Sequence, residues 1–388
     1  MRADMEWRPK IPAGLEPLSP NPGGSGEPDA LVGREQELSR LHEAVRAGGA
    51  HVTGERRMGK TWLVKKLQVD LSETVTAIYV SAETSHLDIF AQRLLAALRQ
   101  NRLIHDRIAT WEKEVGGELK LNVGVAGLTL TAKATKAAGE ALPGLDVLDL
   151  LSSQPGGPVV LIIDEITHLC HSLGPKEARE FLSGLRARRQ SGGSPLVISG
   201  SIGLHHALDD LTSVNDLWTV KVGALEQSDA VILAARLLLG IGVKPQSALV
   251  ADIVRETSSI PFYIHAVVDR LRYRQDLDVA AVVGECITDN AWDTDHYISR
   301  LMEYYGEEGA TRARAVLDEV AMSKEPIGVD AIRAQVVGTN PDLTLTRDTV
   351  LDLLDKLEKD HYLVREGDAD SMSSPLLARI WRHHRRLS

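Results

Sequence analysis

VTGERRMGKT (52–61) sets Gly54 and the run Gly59-Lys60-Thr61 at the spacing GxxxxGK[ST]. Glycines at such positions let the backbone curl until successive N–H groups converge on phosphate oxygens, and the helix that follows adds the positive end of its dipole. Lys60 is then placed to reach the outer phosphates, and Thr61 to offer a hydroxyl to magnesium. The whole loop, with Glu55, Arg56, Arg57 and Met58 between the glycines, is the expected nucleotide cradle. The motif has meaning only between a strand and a helix. AHVT (50–53) reads as a short buried strand, and Leu63, Val64 and Leu67 continue as a helix.

Upstream, LVGREQELSRLHEAV (31–45) spaces Leu31, Leu38, Leu41 and Val45 as one face of an amphipathic helix starting near Arg34. The glycine- and proline-rich residues 1–29 read as a flexible tail without the apolar middle of a signal peptide. Downstream, 74–83 predicts a second strand and 86–111 one helical run. ELKLNVGVAGLTLTAKAT (118–135) alternates Leu119, Leu121, Val123 and Val125, then Leu128, Leu130 and Ala132, around Ala126-Gly127. Period two on both sides of a glycine-bearing turn predicts a β-hairpin insertion near 117–135.

GPVVLIIDEI (157–166) is a continuous apolar run ending in two carboxylates, the pattern of a central parallel strand. Asp164 is placed there to support magnesium, and Glu165 to orient or deprotonate an attacking water. SPLVISGS (194–201) predicts a further strand, and WTVKV (218–222) a fifth. Strands alternating with helices predict a doubly wound α/β domain over 30–223. In a parallel sheet these strand ends open on one crevice, which places Ser199 or Ser201 near the γ-phosphate or its water; a small-residue turn explains them equally well.

Beyond 223 the helical period dominates, first over 224–305 as a helical segment and then over 306–388. The last part has three short helices and a wing-like HYLVREGDADSMSSPLLARI, the outline of a winged helix. Its third helix, in the place of a recognition helix, carries Arg347, Lys356 and Lys359 against Asp348, Asp352, Asp355, Glu358 and Asp360, an acidic balance that repels a phosphate backbone. RIWRHHRRL concentrates Arg379, Arg382, Arg385 and Arg386, which keeps a sequence-independent DNA contact open beside a protein-contact role.

Composition is that of a water-soluble globular chain, 43% apolar and 25% charged, and the net charge of -10 argues against a wholly basic nucleic-acid or membrane surface. No apolar run approaches the roughly 18 residues of a membrane span. Cys170 and Cys286 have no ligand or disulfide spacing. A reducing cytoplasm is the expected compartment. His205-His206 and His383-His384 lack companions at ligand spacing and read as exposed histidines.

LVGREQEL, VTGERRMGKT, VVLIIDEI and LVISGSIGL, in that order, resemble the P-loop ATPases of the STAND and AAA+ type, especially the archaeal-type group also spread among bacteria. The resemblance covers about 30–388. It implies an ASCE-type P-loop NTPase sheet with a helical lid over 224–305, a C-terminal winged-helix domain, and ATP with Mg²⁺ as cofactors. It further implies that Gly33 and Arg34 form a GRE box beside the nucleotide base. SSIPFYI (258–264) resembles the lid's G-x-P segment, which makes Pro261 a nucleotide contact, with Ser259 in place of the glycine. Within LRARRQ (185–190), Arg188 is the candidate arginine finger offered to a neighbouring subunit; arginines at a helix C-terminus also complement its dipole without any partner.

These readings predict an ATP-binding and hydrolysing switch, soluble, with a protein partner and an ATP-dependent homo-oligomer as the expected associations. The alternatives are an ATP-dependent DNA-binding loader and the ATPase subunit of an antiphage system.

Overall fold

The computed structural model describes the chain except residues 1–6, 25–29, 73–74, 85, 116–118, 125–126, 133–144, 153–158, 201–203, 208–211 and 388. It divides into two compact units, one formed by Gly26–Val222 and the other by Met1–Ser25 with Gly223–Ser388.

The first unit opens with α1 (Glu35–Arg46), β1 (Gly49–Thr53), α2 (Lys60–Leu71) and β2 (Ala77–Ser81). Next come α3 (Leu87–Gln100) and α4 (Arg102–Val115), then β3 (Leu119–Gly124), β4 (Gly127–Ala132), β5 (Leu145–Asp146) and α5 (Val147–Ser152). It closes with β6 (Val160–Asp164), α6 (Ile166–Leu173), α7 (Pro175–Gln190), β7 (Leu196–Gly200), α8 (Leu204–Ala207) and β8 (Trp218–Lys221). Five strands form one parallel sheet in the order β2-β6-β7-β1-β8. Every residue of β6 and β7 is buried, as an apolar strand covered on both faces requires, whereas edge strand β8 buries only Val220. The apolar run at 159–163 thus lies where its composition placed it, inside the sheet.

One local expectation needs correction and another is extended. The helical run 86–111 is two helices, because Asn101 takes an extended conformation and its side-chain oxygen accepts the N–H of Ile104 at 3.2 Å, capping α4. The expected hairpin is present as the antiparallel pair β3–β4, and β5 extends it to a three-stranded sheet, β3-β4-β5. Gly127 pairs with Gly124 inside it, and residues 125–126 lie outside the described residues. Leu121 and Leu128 of this inserted sheet join the core beneath Phe90, Leu94 and Phe181.

The second unit contains α9 (Gln227–Gly240), α10 (Ser247–Glu256), α11 (Pro261–Leu271) and α12 (Val279–Thr288). They are followed by α13 (His296–Met322), β9 (Ile327–Gly328), α14 (Val329–Thr339), α15 (Arg347–Lys359), β10 (Leu363–Glu366), β11 (Ala369–Met372) and α16 (Pro375–Arg385). The last three strands form an antiparallel sheet ordered β10-β11-β9. At Gly306 α13 breaks, with φ 67° and ψ −179°. An aromatic series, Tyr297–Tyr362 and Tyr362–Trp381 with centroids 6.3 and 6.2 Å apart, packs α13 onto α16. Trp381 is fully enclosed and donates its indole N–H to Asp318 at 2.9 Å.

The segment expected as a flexible tail is, over 7–24, bound to this unit. Leu18 donates its N–H to the Arg236 carbonyl at 2.9 Å, the Arg236 guanidinium reaches the Glu16 carbonyl at 3.0 Å, and Asn21 donates to Nδ1 of His265 at 3.1 Å. Burial pushes the His265 imidazole down to about 4, so the ring is the neutral acceptor that Asn21 needs. A side chain at Gly240 would run into the Leu18 carbonyl.

Candidate nucleotide site

The loop between β1 and α2 turns on backbone that its residue types allow. A Cβ at Gly54 would strike the Val222 carbonyl oxygen, and Gly59 caps α2 at φ 90°, a left-handed geometry that suits glycine. Arg57 takes φ 74° between them. Lys60 is 4% exposed, and its ammonium donates to the carbonyls of Gly54 at 3.0 Å and Glu55 at 2.9 Å, so the lysine lies across the loop it belongs to. Arg34 is also 4% exposed; it pairs with Glu37 at 2.7 Å and donates to the Met58 carbonyl at 2.9 Å. Arg34, expected beside the base, thus braces the loop from outside, and Gly33 precedes it at φ 66°.

Asp164, 2% exposed at the end of β6, is the hub. Thr61 donates its hydroxyl to Oδ2 at 2.9 Å, Tyr79 donates to the same oxygen at 2.9 Å, and Ser199 donates to Oδ1. Ser199 is wholly buried and its oxygen also accepts the N–H of Glu165 at 3.3 Å. Glu165 itself stands at φ 56° and ψ 43°, left-handed for a non-glycine residue, as N-cap of α6. Such strain persists only where the surroundings enforce it, and here the Ser199 hydroxyl and the strand behind it do so. Burial, and next the Asp164 charge, push the Tyr79 phenol well above its usual range, so it remains a neutral donor.

Thr61 and Asp164 are hard oxygen donors in contact at the loop. That set fits Mg²⁺, which takes one or two carboxylates and completes its shell with phosphate oxygens and water. Among the described residues no group of three His, Cys, Asp or Glu side chains is placed to hold a metal by itself, so an ion bound here would depend on the nucleotide's phosphates.

Residues 30–199 match the AAA ATPase domain family. This segment is thus similar to an AAA ATPase domain. Its fold is shared with the Walker-type ATPase Paby2304 of Pyrococcus abyssi, at a TM-score of 0.65 and 16% identity over 91% of this chain and 96% of that one. The ORC2 protein of Aeropyrum pernix, solved in ADPNP–ADP complexes, is similar at a TM-score of 0.50 and 12% identity over 95% of this chain and 97% of that one. At these identities the likeness is one of fold. No curated protein matches the chain. No helix among the described residues is long and apolar enough to cross a membrane.

The first unit gathers Gly54 to Thr61, Asp164, Glu165 and Ser199 at the carboxyl ends of the central strands β1, β6 and β7, and other expected residues fall elsewhere. Arg188 ion-pairs with Asp146 at 3.4 Å and Asp149 at 3.3 Å, which fastens α7 to the inserted sheet, while Arg186 and Arg189 both face Asp216. An arginine acting on a neighbouring subunit would have to leave these pairs. Pro261 begins α11 in the other unit. Ser201 lies outside the described residues. Arg56 is half exposed and stands 4.0 Å from Glu83, a pair in water that contributes little. Sequence reasoning passed over Tyr79, whose place in an alternating strand marked it only as a β-former.

Proposed function

We propose that the protein is an ATP-hydrolysing molecular switch whose nucleotide state controls a protein partner through a helical lid, α9 to α12, and a C-terminal winged-helix arrangement, α13 to α16 with β9 to β11. The observation that carries the hydrolytic part is the Asp164–Glu165 strand end, with Thr61 bonded to the buried aspartate. In this reading the loop N–H groups and Lys60 hold the phosphates, and Thr61 and Asp164 hold Mg²⁺. That ion, when bound, offsets charge on the β- and γ-phosphates. Glu165 orients a water in line with the γ-phosphate and takes its proton, and the strained backbone fixes where its carboxylate points. A switch responds to nucleotide only by its differential affinity for two states, and hydrolysis resets it.

The partner reading rests on the second unit. Ser258 and Ser259, just before Pro261, both stand in left-handed backbone at φ 51° and 58°. The Ser258 hydroxyl accepts the N–H of Leu376 at 3.2 Å, and Arg379 pairs with Glu256. Any displacement of that turn therefore pulls directly on α16. The same contacts speak against the DNA-loader reading. Arg379 is bound to Glu256, Arg385 to Asp318 at 2.8 Å, and Arg382 to the Ala321 carbonyl at 3.3 Å, so the basic tail is largely spent inside the protein. His384, expected exposed, is engaged by Thr294 and Asp295.

Nucleotide titration and phosphate release for wild type, Lys60→Ala and Glu165→Gln test this function. Lys60→Ala is expected to lose ATP binding. Glu165→Gln is expected to bind ATP and to hydrolyse about a hundredfold more slowly or worse, the usual scale of a lost general base. Equal ATP binding by wild type and Lys60→Ala would sink the proposal.

A further inference from the structure

The oxygen of Asp164 that faces the phosphate loop has two hydroxyl donors, and only Thr61 belongs to the loop; the other is Tyr79 of β2. In the β2–β6 register Ser81 lies opposite Asp164, and Tyr79 lies opposite Ile162. Tyr79 is thus on the same sheet face as Asp164 but two residues further back. Two residues of strand advance about 6.6 Å, which a phenol spans and a serine or threonine does not. The ring is held from the helix side by Lys65 of α2, whose ammonium lies 5.4 Å from its centroid. Ser199 secures the other carboxylate oxygen from β7. Asp164 is therefore clamped from three elements, and the phenol is the stiffest clamp.

The geometry points to Tyr79 as a positioning residue for the divalent cation that enters with nucleotide. With its proton directed at Oδ2, Thr61 presents its lone pairs outward, and Tyr79 keeps Oδ2 in the orientation that makes this bond. Without the phenol hydroxyl the carboxylate is free to turn about its own bonds, and the Thr61–Asp164 pair has to be assembled when the cation arrives. The inference rests on the Mg²⁺–nucleotide reading of this site. It predicts a specific split: Tyr79 matters for the part of nucleotide affinity that depends on the cation, and not for the part the loop provides alone.

ADP is titrated calorimetrically into the full chain in Mg²⁺ and in EDTA, and the quantity read is the Kd in EDTA divided by the Kd in Mg²⁺. Tyr79→Phe, which keeps the ring under Lys65, is expected to reduce this ratio about tenfold, the scale of one hydrogen bond to a charged group, with the EDTA value unchanged. Lys65→Met, which leaves the hydroxyl in place, is expected to keep the wild-type ratio. An unchanged or larger ratio in Tyr79→Phe overturns the role, as does an equal loss in Lys65→Met, which would assign the effect to packing. Weaker binding in EDTA with the ratio intact makes Tyr79 merely structural and overturns the role too. Asp164→Asn separates the two levels. A ratio that survives it overturns the cation reading and the Tyr79 role together, whereas a ratio lost there but kept in Tyr79→Phe overturns the Tyr79 role alone.

Discussion

Arg34 is a buried cation whose charge is answered by Glu37 and whose second nitrogen holds the Met58 carbonyl. A guanidinium can do both because its donors lie in a rigid fork; an ammonium at the same place has neither the reach nor the planarity. Cutting this brace frees the part of the loop just before Gly59. We expect Arg34→Ala, and nearly as strongly Arg34→Lys, to weaken nucleotide binding about tenfold, since one hydrogen bond to a charged group contributes about 1.5 kcal/mol or more. Calorimetric titration with ADP checks it; an affinity within twofold of wild type would mean that the loop holds its own shape. Arg34 was legible as part of a GRE box, yet the sequence could not show that its bonds run to the loop. Nothing in the local pattern of residues 33–37 specifies a carbonyl at position 58.

The turn between α10 and α11 shows how an element absorbs a departure from a family pattern. Ser259 stands where a glycine was expected, and it adopts φ 58° nonetheless. Left-handed backbone costs a non-glycine residue about 1–2 kcal/mol, whereas glycine forfeits about 0.5–1 kcal/mol in the entropy it loses on folding. Ser259→Gly should therefore stabilise the second unit slightly and raise its Tm by about 2 °C, as thermal unfolding can show. A lower Tm would count against strain at this turn. The bonds that hold the turn, Leu225 N–H to the Ser259 carbonyl at 3.0 Å and Ser259 N–H to Val254 at 3.1 Å, are backbone bonds that the substitution keeps. Ser258 differs, because its hydroxyl is the acceptor for α16. Helix periods at this level were readable to within a few residues, since an amphipathic stripe is a local property. The split at Asn101 was not, because one capping side chain decided it against a continuous apolar pattern.

Across the whole chain, residues 7–24 belong with α9 and α11 although they precede the phosphate loop. Three hydrogen bonds at about 1 kcal/mol each, reduced by the cost of ordering the segment, set the scale of their contribution. Deleting residues 1–24 should lower the Tm of the second unit by about 4 °C or more, measured by calorimetry; an unchanged Tm would make the segment a passive passenger. The amino-acid sequence by itself determined the α/β class, the strand–loop–helix at 50–67 and the apolar strand that ends in Asp164–Glu165. Each of these is written in residues adjacent along the chain, through glycine conformation, side-chain period and strand burial. Only the tertiary structure decided that Tyr79 and Ser199 close on Asp164, that Arg188 turns to the inserted sheet, and that an apparent tail is bound. Those contacts join residues tens to hundreds of positions apart, and they follow from sheet register and side-chain reach, which no local pattern encodes.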